Sequence, residues 1–140
     1  MCGIVGIIGV GNSALAEINL MLDEIKNRGT KLAAIKEVQN AIFGHILLPI
    51  LDAKTGTQPL FNSNKTVLIV FNGQIYNYKV LKHDLIGKGY VFRTKTDAEV
   101  LLYLYEAYEE KMLDLLDGMF AFVIYNLKKG DYFAARDPLE

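Results

Sequence analysis

With one cysteine in 140 residues, the chain can close no disulfide within itself and does not read as a small secreted domain held by cross-links. Nor does it open with a basic segment, an apolar run and a cleavage site. Every apolar stretch is broken by Gly, Asn, Lys or Asp well short of the ~20 residues that a membrane-spanning helix needs. Net charge is equally scarce: 15 Lys and Arg against 16 Asp and Glu leave −1, with both signs scattered, so no basic face is offered to nucleic acid or to an anionic membrane. Of the two histidines, His45 sits in an apolar run with no second His, Cys or acid beside it, and a lone His of that kind is more often a satisfied interior residue than a metal ligand. Gly3, Gly6 and Gly9 fall inside a strand pattern rather than between a strand and a helix, so they form no phosphate-binding loop. No repeat or low-complexity segment is visible. What remains is a cytosolic globule, with 51% apolar and 22% charged residues enough for a single core, whose partners are small molecules or proteins.

The residues that are present concentrate interest at the start. If Met1 is removed, Cys2 becomes the N-terminus and carries both a thiol and an α-amine. The amine's ordinary pKa of roughly 7.7 to 8.0 leaves a fraction of it unprotonated near neutrality. One residue can then be nucleophile and supply its own general base. Ile4, Val5, Ile7 and Ile8 read as a buried strand that would anchor this thiol while leaving its end open. A cysteine near a terminus can equally be a small apolar residue or an incidental free thiol.

Further along, Gly11-Asn12-Ser13 supplies a turn and a cap. Leu15, Ile18, Leu22 and Ile25 then recur at helical spacing, which predicts a helix to about Lys26, with Arg28 and Gly29 as its C-terminal cap. Lys31 to Val38 and Ala41 to Leu48 pair as strands across Gln39-Asn40, with a short helix as the alternative for the first. Asp52 to Gln58 is a loop and residues 61–65 a second turn. Val67 to Phe71 is a buried strand ended by Asn72-Gly73, by local chemistry a turn signal, yet a helix over 77–87 follows it. Val80, Leu81 and Leu85 share that helix's inner face. Residues 89–92 read as a short strand, and Thr96 with Glu99 as the capping box of a helix carrying Val100, Leu101, Leu104, Tyr105 and Tyr108 inward. Asp97 in its first turn has an ordinary explanation in the helix dipole. A short helical segment over 112–116 precedes a hairpin of strands 119–126 and 131–136.

Taken together, eight segments resemble the class II glutamine amidotransferase family. They are Met1-Cys2-Gly3-Ile4-Val5-Gly6, Arg28-Gly29, Gly44-His45, Gln58-Pro59-Leu60, Phe71-Asn72-Gly73-Gln74-Ile75-Tyr76-Asn77-Tyr78, Thr96-Asp97-Ala98-Glu99-Val100-Leu101, Asp117-Gly118-Met119-Phe120-Ala121-Phe122 and Ala134-Ala135-Arg136-Asp137. They cover nearly the whole chain in the family's order and look most like the N-terminal glutaminase domains of glutamine-dependent asparagine synthetases. The resemblance implies an α+β fold of four αββα layers, the N-terminal-nucleophile hydrolase fold, with two antiparallel sheets. It implies hydrolysis of glutamine to glutamate and ammonia through a Cys2 thioester. Asn72 and Gly73 would be oxyanion donors, Asp97 would hold the α-amino group, and Leu48 and Gln74 would line the pocket. The ammonia would pass to a synthetase domain or subunit, asparagine synthesis being the expected use, and a homodimer is a further expectation. This domain would need no metal or cofactor, ATP and magnesium belonging to the synthetase part.

Three departures cut the other way. The family has an arginine for the α-carboxylate of glutamine just before its Leu-Ser-Ile, and here Leu47 stands at that place; a leucine cannot make the bidentate contact. Thr30-Lys31 replaces a Pro-Asp, and Gln74 replaces a Glu. The alternative reading is therefore a degenerate amidotransferase-like domain with an interaction or regulatory role. The expectation for the chain as a whole is one amidotransferase domain over 1–140, either shortened from a longer protein or standing alone.

Overall fold

The computed structural model describes residues 2–9, 11–30, 34–48 and 57–139. Its first sheet is built from β1 (Gly3–Ile8), β2 (Ala34–Val38) and β3 (Ala41–Ile46) in the order β1-β3-β2. The second holds β4 (Leu60–Phe61), β5 (Val67–Ile75), β6 (Gly118–Asn126) and β7 (Asp131–Arg136) in sequence order. Every pairing is antiparallel. Helix α1 (Ala14–Glu24) belongs to the first sheet, and α2 (Tyr78–Gly87) and α3 (Asp97–Tyr108) to the second.

Strand parity explains the layering, because successive side chains on a strand point to opposite faces. Val5, Ile42 and Ile46 face outward, with Ile7 and Ile35 beside them, and pack on Ala14, Ile18 and Leu22 of α1. Ala41 and Phe43 face the other way and meet Leu68, Val70 and Tyr125 of the second sheet, with Ile4 and Val123 at the edge. The remaining face of β5 and β6 carries Ile69, Phe71, Phe122 and Ile124 onto Leu81, Leu85 and the apolar length of α3. The result is the expected α+β arrangement of four layers, helix, sheet, sheet, helix. Phe43 and Tyr125 bridge the central layer with ring centroids 5.7 Å apart, and the Tyr125 hydroxyl donates to the Gln39 carbonyl at 3.0 Å.

Several local expectations are corrected. The largest concerns Asn72-Gly73, which is not a turn. β5 runs through it to Ile75, with Asn72 opposite Ala121 and Gly73 opposite Phe120, so pairing with β6 overrides the local turn chemistry. Leu15 and Val80, expected inward, are 56% and 64% exposed, the inner rows being Ala14, Ile18, Leu22 and Leu81, Leu85. Gly29 is extended at φ −145° rather than left-handed, and a single 3-10 turn over Lys26–Arg28 ends the first helical region. Residues 89–92 pair with no strand; Tyr90 and Phe92 instead pack their rings on Tyr103, whose hydroxyl donates to the Val91 carbonyl.

The capping box over Thr96 and Glu99 is also absent. The Glu99 carboxylate accepts instead from the backbone N–H groups of Arg93 and Thr94 and from the Thr94 and Tyr103 hydroxyls. The expected loop over 52–58 and the start of the strand at 31–33 lie largely outside the described residues.

Candidate functional site

The site is assembled where β1 begins. Cys2 precedes the strand, and its sulfur lies against the backbone of Leu48: the Leu48 N–H donates to Sγ at 3.4 Å, and the thiol donates to the Leu48 carbonyl at 3.7 Å. Arg28 Nε donates to the Cys2 carbonyl at 3.1 Å, tying the residue from the other side. Both bonds follow from the fold. Leu48 lies just past β3, antiparallel to β1 with Gly3 opposite Ile46, and Arg28 ends the turn that brings the chain back from α1. Gly29 lets that return pass close. A Cβ there would stand 2.5 Å from the Ile46 side chain and 2.7 Å from the Leu47 carbonyl, to which the Thr30 N–H donates at 3.2 Å.

Residues 28–30 and 47–48 thus run side by side next to Cys2. Between them opens a pocket of about 370 Å³ lined by Asn27, Arg28, Gly29, Thr30 and Leu48. Two of these five residues are bonded to Cys2, Leu48 through the thiol and Arg28 through the Cys2 carbonyl, while Cys2 itself is not in the lining. A larger surface cavity of about 760 Å³, between the end of α3 and the β6–β7 hairpin, is lined by Tyr105, Glu106, Lys129 and Tyr132 among others and includes no thiol. Among the described residues there is no group of three His, Cys, Asp or Glu side chains able to hold a metal.

Parity along β1 leads toward the remaining candidates. Ile4 and Gly6 turn toward the second sheet; Ile4 is in the central layer, and a Cβ on Gly6 would meet the Phe43 ring at 2.8 Å. Opposite Ile4 stands His45, on the same face of β3 as Phe43 and 1% exposed. His45 is hydrogen-bonded to the Phe71 backbone of β5, one residue from Asn72, and β1 itself packs against β5. Asn72 shares the parity of Leu68 and Val70 and so turns toward the same central layer.

Asn72 is half-buried, yet its Oδ1 and the Nε2 of His45 are the two buried side-chain polar atoms with no hydrogen-bond partner among the described residues. His45 is interior, as expected, but only one of its two nitrogens is satisfied. Burial drives its pKa from 6.5 down to about 4, against a smaller upward pull from its bond to the Phe71 backbone. The ring is neutral near pH 7.

Gly73 sits at φ 141°, where a Cβ would come within 2.1 Å of the Met119 carbonyl. Gln74, half-buried, lies opposite Met119 on the Asn72 side of β5. Asp97 opens α3, 6% exposed, and its Oδ2 accepts the Ile75 N–H at 3.0 Å, which fastens the end of β5 to the helix. Burial raises the pKa of this carboxyl, and backbone hydrogen bonds from Ile75, Asp97 and Ala98 hold the rise back. The dipole reading of Asp97 is incomplete, since its carboxylate also bonds across to a strand.

Sequence reasoning assigned no site role to His45 and read Arg28 as a cap. For His45 the usable signal was its spacing of two from Phe43 on one strand. For Arg28, a contact across 26 residues with Cys2 leaves no trace in local spacing.

Known proteins resemble the chain over its length. A family model described as a glutamine amidotransferase domain matches residues 1–140. The glutamine-hydrolyzing asparagine synthetase 2 of Oryza sativa subsp. japonica is 39% identical over 142 residues, 99% of this chain and 24% of that protein. A probable glutamine-hydrolyzing asparagine synthetase of Dictyostelium discoideum is 38% identical over 143 residues, 99% of this chain and 26% of that protein. The chain spans about a quarter of the length of these relatives. The solved structure of glutamine phosphoribosylpyrophosphate amidotransferase from B. subtilis, complexed with ADP and GMP, matches 98% of this chain and 37% of that one with a TM-score of 0.78 at 23% identity, which shows a shared fold.

Proposed function

Because the chain belongs to the glutamine amidotransferase domain family, we propose that Cys2, freed of Met1, hydrolyses glutamine to glutamate and ammonia for use by a synthetase domain or subunit. The observation that carries this reading is Cys2 at the open end of a buried strand, its thiol bonded to Leu48 and its carbonyl to Arg28, two residues that line one pocket. The unprotonated α-amine takes the thiol proton, and the sulfur attacks the side-chain amide carbon of glutamine. Negative charge then develops on the amide oxygen, where the Asn72 side-chain amide and the Gly73 N–H are the donors, each contributing about 2.7 to 4 kcal/mol to lowering the barrier. The α-ammonium so formed returns its proton to the leaving nitrogen as the intermediate collapses, expelling ammonia and leaving a thioester, which water opens to glutamate. Asp97 receives the α-ammonium of the substrate as a charge-assisted partner, and Leu48 and Gln74 shape the pocket. None of these steps draws on a metal or cofactor; ATP chemistry belongs to the synthetase partner, with asparagine as the product in view and the cytoplasm as the setting.

Met-free protein is incubated with glutamine and glutamate release is followed beside a Cys2→Ala variant. Release that disappears with Cys2 supports the reading, and equal rates in the two proteins overturn it. Mass spectrometry of the intact chain tells whether Met1 has left, which the base requires. A second reading, a domain that keeps the fold without turnover, is favoured by one observation: Leu47 brings an apolar side chain to the segment beside the pocket. It predicts no glutamate release even from Met-free protein.

A further inference from the structure

On the side of β5 away from β6, the ladder ends early. β4 supplies only Leu60 and Phe61, opposite Ile69 and Leu68, so among the described residues that edge of β5 has no strand beside it past Ile69. Backbone N–H and C=O groups in the interior must nonetheless be paired. They alternate along a strand between its two neighbours, and Phe71 is the first residue past Ile69 whose groups turn to this edge. Two side chains take the place of the missing strand. Leu60 opposite Ile69 puts position 58 opposite Phe71, and there the Gln58 Oε1 accepts the Phe71 N–H at 2.6 Å. Gln58 is 6% exposed, a buried polar side chain making the bond that its backbone would make in a longer β4.

His45 reaches the same residue from the other sheet, bonded to the Phe71 backbone. With the N–H taken by Gln58, its partner is the carbonyl, to which a ring N–H donates. Phe71 is thus held through both of its backbone groups, directly before Asn72. Its carbonyl belongs to the same planar peptide as the Asn72 nitrogen, so the bond from His45 fixes the plane from which the Asn72 side chain departs. The Asn72 Oδ1 is buried with no hydrogen-bond partner among the described residues. The aim of that amide is therefore left to the backbone that carries it and to packing.

We infer that Gln58 and His45 are positioning residues for the proposed hydrolysis: by clamping both backbone groups of Phe71 they aim the Asn72 amide at the place where negative charge develops. The inference rests on the reading of Asn72 as an oxyanion donor. Neither clamp residue contributes an atom to the reaction.

The test uses Met-free chain carrying Gln58→Met, which keeps the side chain's length and removes the acceptor, or His45→Leu, which removes the donor. Each should lower kcat for glutamine hydrolysis by about 10- to 100-fold, the scale for a donor displaced by about 1 Å. The dissociation constant of glutamine, measured with the same substitutions in Cys2→Ala protein, should change by less than about 3-fold, because the clamp acts on the transition state. His45→Gln, whose amide N–H can donate to the same carbonyl, should keep most of kcat. In an Asn72→Ala background the group to be aimed is gone, and Gln58→Met or His45→Leu should then cost less than about 3-fold. A purely structural role lowers the rate by the same factor with and without the Asn72 amide, and that result overturns the inference. Unchanged kcat in folded Gln58→Met and His45→Leu overturns it too. Should neither variant fold, hydrogen exchange in the unsubstituted protein decides: a Phe71 N–H protected as well as that of Ile69 upholds the clamp, and free exchange refutes it. Absence of glutamate release from the unsubstituted Met-free chain is a separate failure, that of the catalytic reading, and the inference falls with it.

Discussion

Stability below neutral pH should be governed by His45, a residue that makes no contact with solvent. Its imidazole is 1% exposed in the layer between the sheets and its pKa falls from 6.5 to about 4 because burial penalises the charged form. The unfolded chain therefore binds the proton more readily than the folded one between these values, and stability must fall as pH is lowered through that window. At about 1.36 kcal/mol for each tenfold change in proton activity, the difference of about 2.5 corresponds to about 3.4 kcal/mol in the limit below pH 4. At pH 5 about 2 kcal/mol of it has been lost, and above 6.5 none. With a urea slope of about 2 kcal/mol per molar, the unfolding midpoint should drop by about 1 M between pH 7.5 and pH 5. In His45→Gln the same descent should lack this component. Asp97 contributes with the opposite sign: its folded pKa is raised, so acidification through it relieves a burial penalty. That contribution is present in both proteins and cancels in their difference. Parallel midpoint curves for the two proteins from pH 7.5 to 5 would refute the argument that a neutral His45 is built into the central layer.

The other expectations concern the site directly. Asn72→Ala should lower kcat for glutamine hydrolysis by about 10²- to 10³-fold with KM little changed, since an oxyanion donor acts on the transition state; steady-state kinetics show it. Asp97→Asn should act mainly on KM, and in the unsubstituted enzyme KM should rise as pH falls through the raised pKa of Asp97, because only the ionised carboxyl pairs with an ammonium; a pH series of KM tests both. Gly73→Ala forces a Cβ to within 2.1 Å of the Met119 carbonyl at a φ of 141°, and should destabilise the fold by about 3 kcal/mol or prevent it, as read by urea unfolding.

Much of this architecture was legible because burial and periodicity coincide. On α3 every residue from Asp97 to Tyr105 is buried, so the apolar run marks the helix whatever its caps. The hairpin of β6 and β7 has turn residues between two apolar runs, and the structure keeps both strands within a residue of the reading. The failures lie where a distant partner decides. Asn72-Gly73 reads as a turn only until β6 is placed beside it. Glu99 reads as half of a capping box only until Thr94 and Tyr103 claim its oxygens. β4 has two residues, and only its pairing with Leu68 and Ile69 makes it a strand. Cys2, Asn72, Gly73 and Asp97 were named through family resemblance. Nothing in the composition near any one of them announces a part in a site.

Register decides which way these strands turn their side chains. Gly73 on β5 and Gly118 on β6 mark the stretch where the two backbones press together: a Cβ on the first would meet the Met119 carbonyl at 2.1 Å, and a Cβ on the second would meet the Gln74 carbonyl at 2.2 Å. The constraint is reciprocal, each glycine making room for the chain opposite the other's neighbour, so few other alignments of the two strands would place both gaps where they are needed. A slip of one residue would also invert every side chain of β5. Asn72 would then face α3 in place of the central layer, and Phe71 would enter the layer where Leu68 and Val70 meet Phe43. The same alternation places Ile4 and Gly6 on the inner side of β1 and Val5 and Ile7 against α1. Two registers, β1 on β3 and β5 on β6, therefore decide the faces on which Ile4 and Asn72 lie. Gly73 sits on the strand that carries the Asn72 amide and Gly118 opens the strand paired with it, so the fit of this strand pair and the orientation of that amide depend on the same contacts.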